Sequence, residues 1–319
     1  MSADMNSSSY PPPRPAPEGG GFDYLQAEDG TRLRFGVWKP LIEPRGSVVL
    51  QGGFREFIDK HFEEIDDLLL KGYAVYAMDW RGQGGSDRPL ENRQKVYVDS
   101  FDTHIADFEL FLRLVVTPDA PEPVFLIAHS MGGHLALRHL AEHPGRFQSA
   151  VLSAPMVDIK FIPGFGALSH SVIRLGLRLG WDRKYAPGQG DYGRLHRAFK
   201  GNVLTSDRAR FEAEHAHLAA KPDLACGGAT FGWLGAAFDS VAVLKSDGYA
   251  ERITTPVSIV QAGKDQLVDN RAQEKLVQRL PNGLLYTIEG AKHELLRERN
   301  EIRNQFWKIF DRAAEQYTG

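Results

Sequence analysis

Short runs of consecutive apolar residues alternate along the chain with longer stretches in which apolar positions recur every three or four residues. The runs are SVVLQGG (47–53), YAVYAMD (73–79), VFLIA (124–128), AVLSAP (150–155), VSIVQAG (257–263) and LLYTIEG (284–290). They are short and bounded by turn residues, which predicts buried strands. Helical spacing marks residues 61–72, 101–116, 131–143 and 301–317, with Gly72 and Pro144 as stops. FDYLQA (22–27) and TRLRFGVW (31–38) read as a hairpin turned at Glu28-Asp29-Gly30. Strands alternating with helices imply an α/β fold, a mostly parallel central sheet with helices on both faces. The opening hairpin adds an antiparallel edge.

The rhythm breaks between residues 157 and 248. That stretch has no clear buried strand but holds the apolar GFGALSHSVIRLGLRLGW (164–181), a polar EAEHAH (212–217) and a glycine-rich ACGGATFGWLGAAF. It is expected to be a helical cap over the sheet's C-terminal edge, where α/β folds keep their sites. The core is then split into residues 22–156 and 249–319. Residues 1–21, rich in Pro, Ser and Gly, are expected to be a disordered tail.

Composition narrows the classes. Of 319 residues, 42% are hydrophobic and 25% charged, and the formal net charge is -3, so nothing points to nucleic acid. The single cysteine, Cys226, excludes an internal disulfide and reads as a small buried hydrophobe. No stretch reaches the roughly 20 apolar residues of a membrane span, and the N-terminus lacks the pattern of a secretory signal. The expected location is the cytoplasm, with peripheral contact at the inner membrane face.

The chemistry centres on Ala128-His129-Ser130-Met131-Gly132, between a strand and a helix. A serine on such a turn projects its hydroxyl from the sheet edge, and the adjoining helix N-terminus offers free amides. Ala128 stands where the usual motif has glycine. The serine needs a base, and the base an orienting carboxylate, in the order Ser, Asp, His. AGKDQLV (262–268) offers Asp265, with Asp269 as its rival, and GAKHELL (290–296) offers His293. Two backbone amides must face the developing oxyanion. Met131 supplies one; Phe54, with Gly53 as the alternative, supplies the other from the GGFRE loop (52–56). EAEHAH reads as a solvated helix face rather than a metal site, and this chemistry needs neither metal nor cofactor.

Together, AHSMGG (128–133), DWRGQGGSDR (79–88), VLSAPM, NVLTSD, GWL, AGKDQLV and GAKHELL resemble serine hydrolases of the α/β-hydrolase fold, closest to the bacterial lysophospholipase and monoacylglycerol lipase group. The resemblance covers nearly everything after the tail. It implies Ser130 as nucleophile, Asp265 as acid, His293 as base and Phe54 as oxyanion donor, although the GGFRE loop lacks that motif's His. Asp79, Arg81, Gly82, Gly84 and Ser86 are given a structural role. The implied substrate is an acyl ester or lysolipid. Phe231, Trp233, Leu234 and Phe238 are expected as its acyl wall, with Arg174 and Arg178 available to a phosphate headgroup. Monoacylglycerols, short esters, a peptide N-terminus and a non-catalytic ligand receptor on the same fold remain as alternatives.

Overall fold

The apolar runs lie side by side in one sheet. The computed structural model describes residues 10–160, 166–193 and 196–318. Its strands are β1 (Gly20–Gln26), β2 (Arg32–Trp38), β3 (Ser47–Gln51), β4 (Ala74–Met78), β5 (Val124–His129), β6 (Ser149–Ser153), β7 (Val257–Ala262) and β8 (Gly283–Ile288). They line up in the order β1-β2-β4-β3-β5-β6-β7-β8. β1 and β2 pair antiparallel, as do β2 and β4, and all later neighbours are parallel. Every residue of β3 to β7 is buried, because helices cover both faces; continuous apolar runs, not alternation, are therefore the signature of these strands.

The helices are α1 (Phe62–Leu70), α2 (Phe101–Phe111), α3 (Thr117–Asp119), α4 (Ser130–Glu142), α5 (Gly166–Arg178), α6 (Arg208–Ala220), α7 (Phe231–Lys245), α8 (Asn270–Val277) and α9 (Asn300–Glu315). The chain leaves β3 toward β4 on one side and reaches β5 on the other. That reversal opens a crevice at the strands' carboxyl ends, the usual ligand position in such sheets. The loop after β3 thereby lies beside the turn after β5.

One expectation changes. The tail is shorter than 21 residues: Gly20 and Gly21 already pair with Trp38 and Val37, and the Arg14 side chain binds Asp66 of α1 at 2.7 Å. A basic residue in an extended proline-rich stretch has found a carboxylate on the domain surface. Residues 1–9 lie outside the described residues, as do 161–165 at the start of the expected cap. The region expected as a cap is also packed into the core. Trp233, Ala236, Ala237 and Leu244 of α7 belong to the main hydrophobic cluster, and Ser240 bonds His134 and Arg138 of α4.

Asp79 is a brace. Its carboxylate accepts the amides of Ile58 and Gly85 and the Arg34 guanidinium, and Ser86 donates to its carbonyl. Arg81 binds Asp107 through both ends of its guanidinium.

Candidate active site

Ser130 opens α4 with φ of +51°, a left-handed conformation that a non-glycine residue holds only when its surroundings force it. The surroundings are close-packed backbone. A methyl group on Gly132 would sit 2.3 Å from the Gly52 carbonyl, so only glycine lets the two turns approach. Ser130 Oγ lies 2.9 Å from His293 Nε2, and His293 Nδ1 lies 2.7 Å from Asp265 Oδ2. With Nδ1–H donating to the carboxylate, Nε2 is free to accept the serine proton. The other Asp265 oxygen accepts the amides of Leu267 and Val268. Burial raises the Asp265 carboxyl, but the His293 hydrogen bond and charge and these amides outweigh it and hold it below its ordinary value. Asp269 instead caps α8, accepting the Arg271 amide. The three residues named from sequence are thus brought together from the ends of β5, β7 and β8.

The loop after β3 is fixed by Glu56 within it and by Gln83 from the loop after β4. The Gly53 amide donates to the Glu56 carboxylate. Gln83 donates to the Gly53 and Glu56 carbonyls and accepts the Arg55 amide. Among the described residues, the Phe54 amide has no hydrogen-bond partner, and Met131 lies in the first turn of α4, where amides lack an intrahelical acceptor. The His129 ring lies tilted against His293, ring centres 4.7 Å apart, and burial pushes it down to about 3, so it stays neutral.

A cavity of about 680 Å³ opens over Ser130 and His293. Trp233 and Leu234 line it, and the Phe54 ring packs on Trp233 at 4.4 Å. Phe231 and Phe238 do not: they pack against Ile173 and Ala186 beneath α5. The reason is that α7 is apolar on two sides, one toward the core and one toward α5. The α5 arginines also miss the cavity. Arg174 pairs with Asp239 at the surface, and Arg178 is exposed.

The profile of the family described as serine aminopeptidase, S33, matches residues 42–300. The chain belongs to that family. A probable lysophospholipase L2 of Haemophilus influenzae is 30% identical over 89% of each chain. Lysophospholipase L2 of Escherichia coli K12 is 30% identical over 86% of this chain and 82% of its own. A soluble variant of monoglyceride lipase from Saccharomyces cerevisiae, solved with a substrate analog, superposes with a TM-score of 0.71 at 21% identity, covering 94% and 97% of the two chains. This S33-family chain therefore has the α/β-hydrolase fold and is an ester hydrolase of the lysophospholipase and monoglyceride lipase kind.

The S33-family chain also carries a buried charge cluster that its sequence hid. Lys60 Nζ binds Glu56 at 2.8 Å, Glu214 at 3.1 Å and Glu294 at 2.7 Å, and all four residues line the cavity. Burial alone would lower the lysine; the three carboxylates reverse that and raise it. Burial, with Glu214 and Glu56 adding to it, raises Glu294. EAEHAH is consequently not a solvated face. Glu214 reaches Lys60, and His215 and His217 are buried. The one available signal was the four-residue spacing of Glu56 and Lys60, which places both on one side of a turn. Elsewhere, Glu109, His139 and His143 bring ligand atoms within 4.8 Å of one another, but Arg146 already occupies Glu109.

Proposed function

We propose that this ester hydrolase cleaves the acyl ester of a single-chain lipid, a lysophospholipid before a monoacylglycerol, through an acyl-enzyme on Ser130. The carrying observation is the Ser130–His293–Asp265 chain of hydrogen bonds at the floor of a cavity that is apolar on one side and charged on the other. Ser130 Oγ attacks the ester carbonyl while its proton passes to His293 Nε2. The oxyanion accepts the Phe54 and Met131 amides; Gly53 is a poorer donor because Glu56 already holds its amide. Collapse expels the alcohol, which takes the proton from His293. Water, deprotonated by the same nitrogen, then releases the fatty acid and frees Ser130. Asp265 holds the imidazole in the required tautomer and stabilises its charged form.

A lipid suits the apolar wall at Trp233 and Leu234. A peptide amine suits the site less, because each carboxylate that would receive it is already bound to Lys60. The resemblance to named lysophospholipases supports the headgroup choice. We also place the protein at the inner face of the membrane. No helix among the described residues is long and apolar enough to cross it. Leu168, Val172 and Leu175, at helical spacing on α5, and Leu179 just past its end are all exposed, and Arg178 beside them has no partner among the described residues. Turnover of lysophospholipids, monoacylglycerols and p-nitrophenyl esters of graded chain length tests the reading. A preference for acetate esters over every lipid would overturn it.

A further inference from the structure

The cations that line the cavity are not equivalent. Lys60 is saturated by three carboxylates. Arg55 and Lys200 are not. The Arg55 guanidinium meets only the Cys226 carbonyl, 3.2 Å from Nε, and no carboxylate. Lys200 has no hydrogen bond or ion pair among the described residues. Arg55 also holds a φ of +66°, a conformation costly for any residue but glycine, one position after the Phe54 amide. Such strain persists where the surroundings fix it, and here Gln83 grips the Arg55 amide.

A third group faces the same space. His215 is buried and lines the cavity, and its Nδ1 pairs with the Tyr192 hydroxyl at 2.7 Å. Its Nε2 is buried without a partner. With Tyr192 donating to Nδ1, Nε2 carries a proton that has no acceptor in the protein. Burial lowers the ring, Glu214 opposes this, and the charges of Lys60, Arg197 and Arg55 act with burial. Two unpaired cations and an unsatisfied buried N–H in one cavity call for an anion with several acceptor oxygens.

The geometry points to a phosphodiester subsite formed by Arg55, Lys200 and His215, which holds the headgroup phosphate of the leaving alcohol. It deepens the lysophospholipid reading and rests on it. In such a lipid one glycerol unit separates the phosphate from the ester, so an anion on Arg55 places the ester near the adjoining Phe54 amide. The carboxylates of the same cavity oppose the anion least because all three turn to Lys60. A monoacylglycerol has no group for this subsite, so the subsite discriminates between the two lipid classes.

The test compares 1-acyl lysophosphatidylethanolamine with the 1-monoacylglycerol of the same chain, in the same mixed micelles, using the full chain. Lys200→Ala and Arg55→Ala are each expected to lower kcat/KM for the phospholipid about tenfold more than for the monoacylglycerol, through KM. Lys200→Arg should restore most of the loss. Glycerol 3-phosphate should inhibit p-nitrophenyl ester hydrolysis by wild type and lose potency against Lys200→Ala. Inorganic phosphate as potent as glycerol 3-phosphate would overturn the lipid assignment in favour of a free-phosphate site. An unchanged substrate ratio in folded variants of an enzyme that does cleave the lysophospholipid would overturn the subsite alone. Wild type that cleaves the monoacylglycerol and not the lysophospholipid would overturn the substrate reading and the subsite with it.

Discussion

The Glu56 carboxylate accepts the amide of Gly53, three residues before it. One side chain thereby occupies one of the two amides that could have faced an oxyanion and leaves the next, that of Phe54, without a partner. The same carboxylate binds Lys60 and His61, so the loop after β3 is tied to a buried charge network. Burial raises Glu56, but the charge of Lys60, with that of His61, holds it well below the usual carboxylate range.

Glu56→Ala should release this loop and lower kcat by about tenfold or more, with a smaller change in KM, because only the transition state uses the oxyanion donors. Glu56→Gln keeps an acceptor for the Gly53 amide and should recover part of the loss. Steady-state kinetics on a p-nitrophenyl ester decides it; equal kcat in all three proteins would remove Glu56 from this role.

Gly53→Ala should also reduce kcat, by about tenfold, while the protein remains folded. The added methyl would lie 3.0 Å from Ser130 Cβ and 3.2 Å from the His129 carbonyl, tight enough to push the nucleophile off its line to His293. Circular dichroism beside kinetics separates this from unfolding.

Asp265→Asn is expected to cost about 10⁴-fold in kcat, since an amide neither holds the His293 tautomer nor stabilises its charged form. Asp269→Asn should cost less than about twofold, because Asn caps a helix as well as Asp does. The reverse ranking would move the acid to Asp269.

Along α7 the two predicted pairs should separate. Trp233→Ser should lower kcat/KM for a long-chain ester far more than for an acetate, since each methylene that loses apolar contact forfeits about 0.8 kcal/mol. Phe231→Ala should instead lower Tm and affect all esters alike, as it opens space between α5 and α7. Chain-length profiles and melting curves on the same preparations check both.

Stability should fall on mild acidification, and His134 should account for part of it. Burial pushes this ring down to about 3, with Arg138 adding to the effect. Its folded value lies below its unfolded value near 6.5, so the unfolded chain takes the proton first. Stability is therefore complete above about 6.5 and declines as pH drops toward 3, by about 1.4 kcal/mol per pH unit for this residue. His134→Gln should lose stability at pH 7 yet show a slope between pH 6 and 5 shallower by about that amount in urea titrations.

Much of this was legible in the sequence because burial on both faces writes a strand as an unbroken apolar run. β3, β4, β5, β6 and β7 read directly. The chain order of Ser130, Asp265 and His293, each after a strand-like run, placed them at one sheet edge. α8 was missed because NRAQEKLV is short and mostly polar, with only Ala272, Gln273 and Leu276 buried. Trp233 and Phe231 could not be told apart, since α7 is apolar around most of its circumference and its neighbours decide which side meets the cavity. The Lys60 cluster was invisible for another reason. Its carboxylates come from the β3 loop, α6 and the segment after His293, and each looks like an ordinary surface residue until the fold brings them together.

In the proposed reaction Ser130, activated by His293, forms the covalent acyl-enzyme. Incubation with a fluorophosphonate, followed by peptide mass analysis, tests it most directly. One adduct is expected, on Ser130, with loss of ester hydrolysis in proportion to labelling, slow labelling of His293→Ala, and none of Ser130→Ala, which should retain less than about 10⁻⁴ of wild-type kcat. An adduct on another residue, or turnover by folded Ser130→Ala within tenfold of wild type, would contradict it.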